Sequence, residues 1–197
     1  MVLESPDLQA LLARQHRLVS RTQALATGLD GPAIRRALDS ARWRAVLPNV
    51  YLTTPDEPTA EQKRVAAGLY TASTGQITGL SALAWHGLRD LPPDDTVHIL
   101  VPHATRRASA AFVRVQRTRR LDPSARRAGG YDVVSPARAA ADAARTLNDL
   151  PAVRAIVAEA VGRGWTTIPA LRRELDLAGA SRTRTLRLAL RELCETR

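Results

Sequence analysis

Apolar residues at the start of the chain recur at helical spacing, in short bursts separated by capping residues. Leu8, Leu11 and Leu12 share one face of a helix for which Ser5 is the expected cap and Pro6 the first position. Ser20, with Gln23 three residues on, reads as a capping box and predicts a second helix through about Ala26. Gly28 breaks it. Asp30 caps a third helix, with Pro32 in its first turn and Ile34, Ala37 and Leu38 turned inward. The apolar rhythm then shortens. "RWRAV" and "VYLTT" flank Leu47, Pro48 and Asn49, which predicts two short strands around a Pro-Asn turn.

"TTPDEPT", Thr53 to Thr59, is polar, carries two prolines and reads as a linker. Thr59 and Gln62 form another capping box, ahead of a helix with Val65, Ala66 and Leu69 inward. "QIT" predicts a strand, and "LSALAWHGL" a short helix stopped by Gly87. "TVHILVP" and "AFVRVQRT" predict strands that pair, joined by "PHATRRASA", and "GGYDVV" a further strand. Ser135 and Pro136 open a helix to about Leu147; others are expected over 151–162, 168–175 and about 181–195. The sum is an α+β chain. Residues 1–54 form a winged helix-turn-helix. Residues 59–197 form a larger α+β domain, with a small, mostly antiparallel sheet over about 76–134 and a helical part over about 135–195.

The second and third helices carry the most specific pattern. Two steeply crossing helices need a small residue where their backbones meet, which is Ala24. The turn needs a residue that tolerates positive φ, which is Gly28, and the second helix an inner anchor, which is Ile34. On this reading helix 30–40 enters the major groove, with Ala33, Arg35 and Arg36 outward near its start. Arg21 and Thr22 approach phosphates; Arg42, Arg44 and Asn49 lie on or near the wing. The competing reading makes Arg35 and Arg36 the solvated face of a dimerising hairpin. The predicted wing and the charge of the chain favour DNA.

That charge is +10, with a pI near 11.2, and Lys63 is the one lysine. Arginine suits polyanions because its planar fork grips phosphate and reads guanine edges, although a GC-rich genome also favours it. Residues 104–128 hold eight arginines and a single acid, and form the densest basic stretch. Arg106 and Arg107 fall in a loop, Arg114 and Arg117 on or near a strand, and Arg119, Arg120, Arg126 and Arg127 after it. These residues either contact phosphate or an acidic partner, or form a solubilising surface. Phe112 is the lone ring among them, so stacking on single strands is not expected. Aromatic content is 4%, and the core falls to Leu, Val, Ile and Ala.

Catalytic and metal-binding patterns are not found. His86, His98 and His103 lie near Asp90, Asp94 and Asp95 in sequence but lack ligand spacing, so no metal is expected. There is no nucleophile elbow, P-loop or dinucleotide fingerprint, so neither an enzyme nor a cofactor is expected. Cys194 is alone, which excludes an intrachain disulfide, and is expected to pack in the last helix. "MVLESPDLQALLARQ" lacks the basic and apolar regions of a secretory leader, and no stretch is long enough to span a bilayer; a cytoplasmic protein is expected.

The block "LLARQHRLVSRTQALATGLDGPAIRRALDSARWRAVLPNVYLTT", followed by "LSALAWHGL", "VHILVPH" and "SPARAAADAA", resembles the AbiEi-type antitoxins of type IV toxin–antitoxin systems, in their actinobacterial form. The resemblance covers nearly the whole chain and is most specific in its N-terminal block. It implies an N-terminal winged helix that binds inverted repeats in its own promoter and represses it. It also implies a C-terminal domain linked to antitoxicity, and a nucleotidyltransferase-like toxin as partner. Carried over by position, the DNA-facing set is Arg21, Thr22, Arg35, Arg36, Arg42 and Arg44. Many relatives continue into an endonuclease-like domain; the sequence ends at Arg197 without its acidic and lysine cluster, so no nuclease activity is expected. Many such genes look solitary, which leaves a stand-alone winged-helix regulator as the alternative. Inverted-repeat operators imply two copies on DNA.

Overall fold

The structure, a computed structural model, describes residues 5–147, 149–178 and 183–195. It opens with α1 (Pro6–Arg14), β1 (Leu18–Ser20), α2 (Arg21–Ala26), α3 (Gly31–Asp39), β2 (Arg44–Leu47) and β3 (Val50–Leu52). These strands form one antiparallel sheet in the order β1-β3-β2. Strand β1 is absent from the sequence reading. Its three residues are entered through His16 and Arg17, both at positive φ, a turn that no glycine announces. Helix α1 does begin at Pro6, but the Ser5 side chain makes no capping hydrogen bond.

The small sheet is buried on both faces, as the unbroken apolar run of β3 requires. Val19 and Tyr51 join Leu8, Leu12, Ala24, Leu29, Ile34, Ala37 and Trp43 in one core. On the other face Leu18, Val46, Leu47, Val50 and Leu52 join the main core, against α4 (Ala60–Tyr70). The polar segment 53–59 therefore connects two units that share packed surface. Gln62 Nε2 also donates to the His16 carbonyl at 3.0 Å, and Thr53 N to that of Arg17 at 2.9 Å.

The remaining strands are β4 (Gln76–Thr78), β5 (Val97–Pro102), β6 (Val113–Thr118), β7 (Arg126–Ala128) and β8 (Tyr131–Val133). They form one sheet in the order β6-β5-β4-β8-β7. This sheet departs from expectation. It is mixed, with β4–β5 and β7–β8 antiparallel and β5–β6 and β4–β8 parallel. The strands at "VHILVP" and "VRVQRT" do pair, but side by side in one direction. The chain from Pro102 to Val113 must then travel back along the sheet without a helix.

Helices cover both faces. On β8, Tyr131 meets Gly68 of α4 so closely that a Cβ on Gly68 would stand 2.7 Å from Tyr131 Cβ. Ile77 pairs with Val133, so neighbouring Thr78 points to the opposite face, where its Oγ1 donates to Asp142 of α6 (Pro136–Thr146) at 2.7 Å. Helix α5 (Gly79–His86) also packs on α6, and α7 (Leu150–Gly162), α8 (Ile168–Ala178) and α9 (Arg184–Glu195) cover it. Expected helix start Ser181 lies outside the described residues. Cys194 is exposed on α9, not packed, and accepts from Arg172 Nη2 at 3.2 Å. Among the described residues no helix is long and apolar enough to cross a membrane.

Candidate nucleic-acid interface

The local chemistry of α2 and α3 fixes the geometry of the candidate site. Ser20 Oγ accepts from Gln23 N at 3.2 Å, and Gln23 Oε1 accepts from Ser20 N at 3.0 Å, so both halves of the capping box form. Gly28 turns the chain at φ +92°, and Leu29 N donates back to the Ala24 carbonyl at 3.2 Å. Asp30 Oδ1 accepts from Ala33 N at 2.6 Å and caps α3. Ala24, Ile34 and Ala37 are buried together, as the sequence pattern requires. Fixing the ends and inner faces of these helices fixes which side chains face out.

Arg35 and Arg36 are those side chains. Both are exposed on α3, and among the described residues no ion pair holds either. Ala33 differs from its expected outward position: it is half-buried against the α1–α3 core. Arg21 starts α2 and reaches toward α3; a Cβ on Gly31 would stand 3.3 Å from its Nη2. The β2–β3 turn comes to the same place. Asn49 adopts φ 61°, and its carbonyl accepts from Arg21 N at 2.8 Å. Arg21, exposed Thr22, Asn49 and the start of α3 thus form one continuous surface.

The other expected cations divide by their partners. Arg42 is exposed, its Nε donating to Ser40 Oγ at 3.1 Å. Arg44 is turned to the connecting segment, where it pairs with Glu57 and donates through Nη2 to the Pro55 carbonyl at 2.9 Å. In the basic stretch, Arg114 donates to the Ala111 carbonyl at 2.7 Å and Arg127 pairs with Asp132 at 3.2 Å. Arg120 is the clearest departure from a surface role. It forms an ion pair with Glu174 of α8, and its carbonyl accepts from Arg138 Nη1 at 3.3 Å. Arg106, Arg117, Arg119 and Arg126 are exposed. Arg107 lies half-buried over the Tyr70 ring, 4.9 Å from its centroid.

Several other polar groups are tied into the fold. Asp142 accepts from Arg138 Nε at 2.8 Å in a buried pair. Burial raises the Asp122 carboxyl, but bonds from the Ser135 hydroxyl and amide, the Ser124 amide and nearby Arg138 bring it below the usual range. Burial lowers the His86 imidazole, outweighing the Val134 carbonyl, to which its Nε2 donates at 2.8 Å. Burial likewise lowers His98, which is held between Thr96 and Gln116. His103 is exposed. Among the described residues no three His, Cys, Asp or Glu side chains gather as metal ligands do. Neither a protein-family model nor a curated protein matches the chain.

Proposed function

We propose that the protein is a double-stranded-DNA-binding transcriptional repressor whose N-terminal 54 residues act as a winged helix-turn-helix. The observation that carries this is the pair Arg35–Arg36, exposed on a capped helix and without an ion pair among the described residues, beside Arg21, Thr22 and the Asn49 turn. The element order and the β1-β3-β2 sheet support the same reading. Helix α3 lies in the major groove, where Arg35 and Arg36 reach base edges and Arg21, Thr22 and Arg42 hold phosphates. The operator is an inverted repeat in the gene's own promoter, bound by two copies.

The test is Arg35→Ala with Arg36→Ala, measured on that promoter at several salt concentrations. Each lost base contact costs about 1–3 kcal/mol. Unchanged affinity with an unchanged salt dependence sinks the recognition-helix assignment.

The antitoxin role rests on the family resemblance, and the reading extends to it: a cytoplasmic antitoxin whose larger part, residues 59–197, counters a nucleotidyltransferase-like toxin. Co-expression with the product of an adjacent nucleotidyltransferase-like gene should restore growth. Without such a neighbour the protein is a stand-alone regulator. Metal-dependent turnover of DNA or tRNA is expected to be nil.

A further inference from the structure

We propose that the cleft between the Asn49 turn, the start of α2 and the end of α4 holds a backbone phosphate of bound DNA, and that Arg107, from the larger half, grips it. The inference rests on the DNA-binding reading and adds to it a contact from outside the N-terminal unit.

The cleft is about 400 Å³ and is lined by Arg21, Thr22, Asn49, Tyr70, Ser73 and Arg107 among others, with no carboxylate. That sets it apart from three other clefts on the described surface. One combines Lys63 and Arg64 with Asp94 and Asp95; another combines Arg120 and Arg173 with Asp122 and Glu174; a third sets Arg114 and His98 beside Asp94. Of these four clefts this one alone sets its cations together without a carboxylate in its lining, so an anion entering it meets guanidinium groups with no acid beside them.

Arg107 is also held ready. Its guanidinium lies over the Tyr70 ring, and the Tyr70 hydroxyl donates to the neighbouring Ala108 carbonyl at 3.0 Å, pinning the loop to α4. A guanidinium carries five N–H donors, and a contact with a ring face does not consume them as a carboxylate would, so they remain for phosphate oxygens. Arg21 connects the cleft to the recognition surface, since it lines the first and lies against the first residue of α3. A strand whose bases meet α3 therefore passes the cleft through its adjacent backbone.

The experiment measures affinity for promoter DNA against salt for the full chain, four single variants and the Arg35→Ala/Arg36→Ala double variant. Arg107→Ala should weaken binding about tenfold, equally on operator and mutated operator, and reduce the salt slope by about one. Arg107→Lys should recover most of the slope. Tyr70→Phe, which releases the loop, should give a smaller loss. Arg187→Ala, which removes the same charge from α9 on the far side of the sheet, should bind as the parent does. Thermal melts of each variant separate lost contacts from lost fold. If Arg107→Ala matches the parent while Arg35→Ala/Arg36→Ala fails, the phosphate site is wrong and the DNA reading stands. If Arg107→Ala instead loses affinity only for free inorganic phosphate, the site belongs to a small anion and the DNA contact is overturned. If the parent chain shows no salt-dependent DNA binding, the reading beneath the inference falls.

Discussion

The arginines of α3 and those of the 104–128 stretch look alike in sequence and differ in what they touch. Arg35 and Arg36 leave a short capped helix for solvent. In the longer stretch, Arg120 is spent on Glu174, Arg127 on Asp132 and Arg114 on a carbonyl. The denser cluster thus has several of its charges engaged, whereas the sparser one is open. A count of positive charge along a chain locates candidates; the acids that fold onto them decide which are left for a partner.

That contrast can be broken at both ends. The largest effect is expected at a charge that has been internalised. Asp142→Ala strands Arg138 in the protein and should cost about 3–5 kcal/mol of stability, read by chemical denaturation. A loss below 1 kcal/mol would mean that the buried pair is dispensable. At the open end, Arg35→Ala/Arg36→Ala should leave the melting temperature unmoved while DNA affinity collapses, because exposed unpaired side chains contribute little to folding. Between these lies Ser20→Ala, which removes one half of a capping box and should cost about 1 kcal/mol. Smallest is Glu57→Ala. It frees Arg44 from an exposed pair worth roughly 0–1 kcal/mol. If Arg44 is a connector residue, DNA affinity stays put; if it rises, Arg44 belongs to the interface and Glu57 was masking it.

Acid gives a further handle on the internal charges. Asp122 has a folded pKa below its unfolded value, so the unfolded chain binds the proton first as pH falls. Its contribution is complete above about pH 4 and is lost as pH drops through the folded pKa. Melts of the parent should fall over that window more steeply than those of Asp122→Asn. A parallel fall in both would assign the acid sensitivity elsewhere.

What could be read in the sequence was what is decided within a few residues. Both predicted capping boxes, at Ser20–Gln23 and Thr59–Gln62, form, and so does the Asp30 cap, because each needs only residues three apart. The Ala24, Gly28 and Ile34 spacing worked for the same reason. Strands β1 and β7 escape a sequence reading for separate reasons: β1 follows a positive-φ turn at His16 and Arg17 that no glycine marks, and β7 is a largely exposed Arg-Arg-Ala without an apolar face. The parallel β5–β6 and β4–β8 pairs were missed because strand direction is set by the path of the connection, not by the strand. The ion pairs of Arg44 and Arg120 are not legible in the sequence, because their partners, Glu57 and Glu174, lie 13 and 54 residues away. Cys194 was placed inward on a helix whose apolar face runs instead through Leu186, Ala189 and Leu190. The Arg21–Asn49–Arg107 cleft had no sequence signal, as it draws on three separated segments.

The two-sided burial of the small sheet has a practical edge. A fragment cut after residue 54 would lay bare Leu18, Val46, Leu47, Val50 and Leu52 at once, a strip of sheet wide enough to stick to its own copies. Work on the N-terminal unit alone would then report aggregation, and weak DNA binding by such a fragment would say nothing about the full chain. The smallest piece worth purifying runs through α4, the helix that packs on all three strands of that sheet.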